Sequence, residues 1–450
     1  MQAIANTYLK YIDLVLLENW SVQGLLDAKF NYSIKYELAR IGDFLIKSRN
    51  VVNIEDDKIY NRVTVKINNN GVIPRDTEKG VNIGTKKQYR ANSGQFIISK
   101  IDARNGAFGI IPNELDNAIV TNDFPLFDVN TKKINPQFLL LITTTKVFIK
   151  FAQSCSSGTT NRQRMDIDMF LNQKIPLPKL EEQDKIVSNF LNKVNKAESL
   201  KKEAEDLENK IETYFLSELG ISINDKKQRV KSIGLQFVDY SDLVKWGLDF
   251  IGLKNNDNRI YKDVSINKLC KISSGGTPSR SRKEYYEGGN IPWIKTGELN
   301  NEILFDTEEK ITEDALKNSS AKLYKKGSII IAMYGATIGK TAKLGVEAST
   351  NQACAVLFDI DNSMVLTDYL WEYLQIQTDN LKKLAYGSAQ PNLNAGIISN
   401  YPIPIPSVKK QKEILDKIIS IKKEVKNLKE KSVELKKEAE IQFEKAIFNS

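Results

Sequence analysis

Two stretches of the chain carry one and the same helical pattern. From Leu180, apolar side chains recur at Ile186, Phe190, Ala197, Leu200, Leu207, Ile211 and Phe215, and from Val408 at Ile414, Ile418, Val425, Leu428, Leu435, Ala439 and Phe443. The two sets coincide at an offset of 228 residues, Gln183 falls on Gln411, and each stretch follows the same peptide, Ile175-Pro176-Leu177-Pro178 and Ile403-Pro404-Ile405-Pro406. In the second stretch the seam Ile414, Ile418, Ile421, Val425, Leu428, Leu435, Ala439 alternates steps of three and four, with one polar break at Ser432. Lys and Glu fill the remaining positions, as an amphipathic helix requires. Neither stretch holds an internal Pro or Gly, so each predicts a helix close to 40 residues long, about 60 Å at 1.5 Å per residue. That length suits a coiled coil better than a helix lying on one domain. Residues 180–219 carry 6 Lys against 10 Asp+Glu and 409–450 carry 12 Lys against 8. Opposite signs favour pairing of the two helices with each other.

Ahead of each helix lies a strand-rich block of similar size, and Trp20 and Trp246 stand at nearly the same offset. The order is block, helix, block, helix. The longest apolar runs, Phe138–Ile142 and Ile329–Met333, fall far short of the roughly 20 residues of a membrane span and read as buried helix or strand. The N-terminal segment mixes Asn6, Lys10, Asp13 and Glu18 into its apolar residues, unlike a signal peptide. A cytoplasmic protein with no membrane partner is expected.

Composition narrows the chemistry. The 450 residues include 65 Lys+Arg, 56 Asp+Glu and no histidine, which excludes Ser-His and Cys-His nucleophilic catalysis and any His-ligated metal. Cys155, Cys270 and Cys354 lie too far apart for a C-x-x-C zinc motif. The net charge of +9 is unevenly placed: residues 1–179 carry 24 basic and 17 acidic side chains, residues 220–408 carry 23 and 21. The first block is the basic one, which favours a polyanionic partner.

Candidate contacts to such a partner collect at strand ends and turns. In the first block they are Lys86, Lys87 and Arg90, then Lys100 and Arg104, then Thr159, Arg162 and Arg164 in the small, hydroxyl-rich loop Ser156–Arg164. In the second they are Ser274, Thr277, Ser279, Arg280 and Arg282 after Gly275-Gly276, Lys295 after Ile291-Pro292-Trp293-Ile294, Tyr334, Thr337 and Lys340 in a glycine-bearing turn, and Gln390 and Asn392. Hydroxyl, amide and guanidinium groups can contact phosphates and read base edges, and glycines permit close backbone approach. Two enzyme motifs are incomplete. Gly339-Lys340-Thr341 ends like a P-loop, but Tyr334 stands where the leading glycine belongs. Asn135-Pro136-Gln137-Phe138 is one residue from an amino-methyltransferase motif, Gln137 replacing a proline, and reads as a loop before the apolar helix from Phe138.

With these residues assembled, the chain resembles the specificity subunit of type I restriction-modification enzymes over essentially its whole length. The resemblance rests on Ile175–Gln183, on Gly275-Gly276-Thr277-Pro278 with Ile291-Pro292-Trp293-Ile294, and on Gly335-Ala336-Thr337-Ile338-Gly339-Lys340; Lys409-Lys410-Gln411 departs from the usual Glu-Glu-Gln. It implies an α+β fold with a pseudo-two-fold internal repeat. Two target recognition domains of mixed sheet and helix (1–175 and 223–402) would be separated by two antiparallel spacer helices (176–222 and 403–450). It also implies double-stranded DNA as the ligand, read as two different half-sites. Two methyltransferase subunits would dock on the chain, with restriction subunits joining through them. The chain would hold no cofactor and catalyse nothing, S-adenosylmethionine being used in the partner methyltransferase on an adenine taken out of the duplex. A type IIB recognition subunit and a coiled-coil adaptor that binds only proteins are the alternative readings.

Overall fold

The computed structural model describes residues 30–157, 163–221, 260–385 and 392–448. Trp20, Trp246, Thr159, Arg162 and Gln390 lie outside the described residues. The chain divides into two compact units, residues 1–200 with 430–450, and residues 201–429.

The first unit holds two main sheets. The five-stranded one runs in the order Val51–Asn53, Lys87–Ala91, Ala118–Val120, Ile59–Val65, Val72–Lys79, and the four-stranded one in the order Leu45–Lys47, Leu126–Val129, Phe96–Ile98, Phe108–Ile110. Helices Pro136–Thr143, Lys146–Ser154 and Ile167–Asn172 belong to the same unit. Phe44, Phe96, Phe108, Phe127, Phe138, Phe148 and Phe170 fill the core, all almost fully buried. Asn135 caps the first of these helices, its Oδ1 accepting from the amides of Gln137 and Phe138 at 2.8 and 3.3 Å, with Pro136 in the first turn. The helix thus begins two residues before Phe138, because Pro136 has no amide hydrogen to lose there.

The second unit is built from a five-stranded sheet in the order Lys271–Ser274, Cys354–Phe358, Ile329–Ala332, Thr341–Leu344, Ile303–Leu304 and a three-stranded sheet in the order Lys310–Ile311, Ile291–Ile294, Ser349–Thr350. The strand Ile329–Ala332 is buried on both faces, which its unbroken apolar run requires. Helices Thr367–Ile376, Thr378–Leu384 and Ala395–Ser399 follow.

The repeat is legible in the hydrogen bonds. Lys174–Pro176 pairs antiparallel with Leu38–Arg40, and Pro402–Pro404 with Asp263–Ser265. Each pair is extended by matched bonds, Leu177 N to Glu37 O at 2.9 Å and Ile405 N to Lys262 O at 3.1 Å. The long helices follow at once, Leu180–Glu218 and Val408–Ile447. Gln183 and Gln411 are fully buried and act as latches. Gln183 accepts from the amide of Asn135 (2.8 Å) and donates to the carbonyls of Lys133 and Pro178 (3.1 and 2.8 Å). Gln411 accepts from Leu366 (2.8 Å) and donates to Met364 and Pro406 (both 2.9 Å). Within each unit, halves of the two helices run antiparallel. In the first, Ser432 Oγ donates to Ala197 O at 2.7 Å and Lys193 pairs with Glu438. In the second, Ala204 packs with Ile421 and Val425, Lys429 pairs with Glu208 at 2.7 Å and Lys410 with Glu218 at 2.6 Å. The polar break at Ser432 is therefore a buried seam position.

Candidate functional site

In the second unit the structure brings several of the sequence candidates close to Trp293. The Trp293 indole donates to Gly276 O at 3.0 Å. A Cβ on Gly276 would come within 2.3 Å of the Ser320 backbone, and one on Gly275 within 2.1 Å of Thr350 Oγ1. These glycines are demanded by internal packing, so the close approach they permit is to the protein's own backbone. Arg280 lies over the Tyr286 and Trp293 rings, 4.4 and 5.0 Å from their centroids. Its guanidinium meets Glu309 at 2.6 Å, and Lys295 meets the same carboxylate at 2.9 Å and Glu308 at 3.4 Å. The Arg280 hydrogen bond, with that from Lys295, holds the Glu309 carboxyl below the usual carboxylate range. Thr277 bonds Gln352, Ser279 bonds Ser281 at 2.8 Å, and Arg282 donates to Tyr285 Oη at 2.7 Å. Ser274, exposed at the end of its strand, accepts from Tyr324 Oη at 3.1 Å.

The turn 334–340 joins two antiparallel strands, Ile329–Ala332 and Thr341–Leu344. Gly335 and Gly339 take φ of 79° and 81°. No helix follows the turn, so the P-loop arrangement of strand, nest and helix is not formed. Thr337 Oγ1 donates to Thr296 O at 2.8 Å, tying this turn to the residue after Lys295. Tyr334 bridges to Asn392. Among the described residues Lys340 has no ion-pair partner.

In the first unit the candidates divide into separate places. Lys87 and Arg90 lie within the strand Lys87–Ala91, where a strand end or turn was expected. Three residues apart on a strand, they face opposite sides. Arg90 reaches Asn117 Oδ1 at 3.4 Å, while Lys86 is engaged by Asp56 at 2.5 Å and Gly80 O at 2.7 Å. Arg164 forms a forked pair with Asp123 at 2.9 and 3.1 Å, Lys100 lies close enough to lower the Asp123 carboxyl further, and Arg104 donates to Gln163 at 3.0 Å. The run Lys47-Ser48-Arg49, absent from the sequence candidates, lines a cleft together with Lys87. Its basic composition was the available signal.

All three cysteines are buried, and burial pushes their thiols up to about 12. Thiolate chemistry is suppressed there. Among the described residues no group of three or more His, Cys, Asp or Glu could hold a metal ion, and no helix is long and apolar enough to cross a membrane.

Comparison with known proteins agrees with this doubled construction. Residues 34–213 and 258–437 each match the family described as type I restriction modification DNA specificity domain. The chain is 24% identical over 455 residues to the type I restriction enzyme HindI specificity subunit of Haemophilus influenzae, covering 90% of this chain and 94% of that protein. It is 32% identical over 179 residues to the MjaIX specificity subunit of Methanocaldococcus jannaschii and 28% identical over 161 residues to the EcoR124I/EcoR124II specificity subunit of Escherichia coli. Those two matches cover 38% and 34% of this chain, and span only 40% and 39% of the relatives' own lengths. Among solved structures, a chain described under complex assembly and conformational transition of the type I R-M system superposes with a TM-score of 0.61 at 19% identity, covering 93% of this chain and 99% of that one. The HsdS subunit from Thermoanaerobacter tengcongensis does so with a TM-score of 0.50 at 17% identity, covering 92% and 97%. The fold is shared with these chains at 19% and 17% identity, and with the specificity domain matched twice over most of the chain's own length, this chain belongs to the type I restriction-modification DNA specificity family.

Proposed function

We propose that this chain is the DNA-addressing subunit of a type I restriction-modification enzyme, binding a split, asymmetric double-stranded site and docking methyltransferase subunits, two of them, with restriction subunits joining through these. The observation that carries the reading is the duplicated scaffold: the same strand pair, glutamine latch and long helix in each half, under blocks whose surfaces differ. Two related but unlike blocks suit two unlike half-sites. On this reading residues 1–175 and 223–402 are the target recognition domains and 176–222 and 403–450 the spacer helices. Adenine methylation with S-adenosylmethionine is then the partner's chemistry.

The test is reconstitution with a type I methyltransferase subunit from the same source, followed by sequencing of the methylated sites. A bipartite motif with a fixed spacer is expected, with no methylation by the chain alone. Methylation by the purified single chain, or a continuous motif, would overturn the reading. The spacer has its own test. Ala204 and Val425 pack together, so four residues inserted after Glu203 and after Val425 add one turn, about 6 Å, at opposed points of the seam. The spacer should lengthen by about one or two base pairs, at roughly 3.4 Å each, with both half-sites unchanged.

A further inference from the structure

The first unit contains a cleft of about 300 Å³ that no motif announces. It sits where the chain crosses twice between the two sheets, once through Ser48–Asn50 and once through Thr121–Pro125. Main-chain bonds hold both crossings, Ser48 N to Leu126 O at 2.8 Å, Arg90 N to Asn50 O at 2.9 Å and Phe124 N to Thr121 O at 3.0 Å. Tyr89 is paired in register with Val51, and Lys87, two residues earlier, shares its face of the strand. Lys47, Arg49 and Lys87 stand on the rim, with Tyr89, Phe124 and Asn122 completing the lining.

The charge arrangement sets this cleft apart. Among the described residues no carboxylate lines it, and none of Lys47, Arg49 and Lys87 has an ion-pair partner. Other cations of the unit are spent internally: Lys86 on Asp56, Arg62 on Asp76, Arg164 on Asp123. A larger cleft in the second unit, about 640 Å³, also carries lysines, but Asp359 lies in its lining. A concavity of one sign concentrates an anion. Three cations around two aromatic rings and an amide match a nucleotide strand, phosphates at the rim and a base edge inward, and an asparagine amide can pair with adenine N6 and N7.

Resting on the DNA-binding reading above, we infer that this cleft grips the first half-site: Lys47, Arg49 and Lys87 hold phosphates, and Asn122 with Phe124 contacts a base edge. Lys87 and Lys86, neighbours in sequence, then have different roles, Lys87 toward DNA and Lys86 toward Asp56.

The experiment uses the full chain and mixed-sequence duplex DNA, with affinity measured across salt concentrations. The Lys47→Ala, Lys87→Ala double variant should flatten the slope of log affinity against log salt by about two, each lost phosphate contact removing roughly 0.9. Lys86→Ala should leave it unchanged. Asn122→Ala should keep the slope, and sites selected from a random pool should lose preference at one position of one half-site, a discrimination of roughly five- to a hundredfold. Phe124→Leu, which keeps the packing, should behave likewise. Circular dichroism of each variant checks the fold. Wild-type chain with no salt-dependent DNA binding would refute the DNA-binding reading itself. Wild-type binding with an unchanged slope in the double variant refutes the cleft alone. So does a slope kept in that variant while protection by a free mononucleotide is lost, which would mark a small-ligand site.

Discussion

The two units share a scaffold and diverge in how they treat their cations. In both, a buried glutamine satisfies one amide and two carbonyls at the foot of a long helix, with bond lengths agreeing within 0.2 Å. Yet the second unit neutralises Arg280 and Lys295 on one carboxylate, Glu309, while the first leaves Lys47, Arg49 and Lys87 around a cleft with no carboxylate among its described lining residues. Duplication kept what a buried polar group cannot lose without cost and left exposed charge free to differ. The seam shows the same division. Ser432 and Ala204 occupy the same place in the repeat, one donating to Ala197 O, the other packed with Val425.

The latches should give the largest effect. Gln183→Leu and Gln411→Leu each orphan three main-chain groups, and each should cost about 3 kcal/mol. Urea unfolding of both variants would show whether the latches are equal; a markedly unequal loss would break the equivalence of the two scaffolds.

Glu309→Gln should make the second unit resemble the first, by freeing Arg280 and Lys295. The salt slope for mixed-sequence DNA should then steepen by about one to two. Because Glu309 is depressed in the folded chain, its contribution to stability is fully present above the ordinary carboxylate range and is lost as pH falls through the lower folded value. The stability difference between the wild-type chain and Glu309→Gln should accordingly hold at neutral pH and shrink below about pH 4. A difference that grew on acidification would exclude the clamp.

Ser432→Ala should cost about 1 kcal/mol, the worth of a buried hydroxyl bond, and makes the two seams alike; calorimetry reads this. Smallest is the exchange of Lys193 and Glu438 for alanine, an exposed pair expected to contribute under about 0.5 kcal/mol in a double-mutant cycle.

The repeat was readable because its signals are local. Proline, a 3.6-residue period and a fixed offset survive in one dimension, so the helices, the peptides before them and the seam positions could be named without coordinates. The surface candidates were less legible. Basic residues were chosen by composition, which cannot tell Lys86, engaged by Asp56, from Lys87, which faces the cleft. Gly275 and Gly276 suggested room for a ligand, and the room is taken by Thr350 and Ser320.

By itself the sequence determined the doubled architecture, the two long helices and the absence of histidine chemistry. These follow from periodicity and residue type, which need no partner to be read; the family and the antiparallel order of the helices came from the resemblance of its motifs. Only the tertiary structure decided which cations are spent within the protein and which remain available. Charge is neutralised by whatever lies within about 4 Å, and for Arg280 that is Glu309, 29 residues away along the chain. The cleft of the first unit likewise joins residues 47–51, 87–89 and 122–126, three segments that meet because two of the chain's crossings between its sheets pass beside the strand Lys87–Ala91.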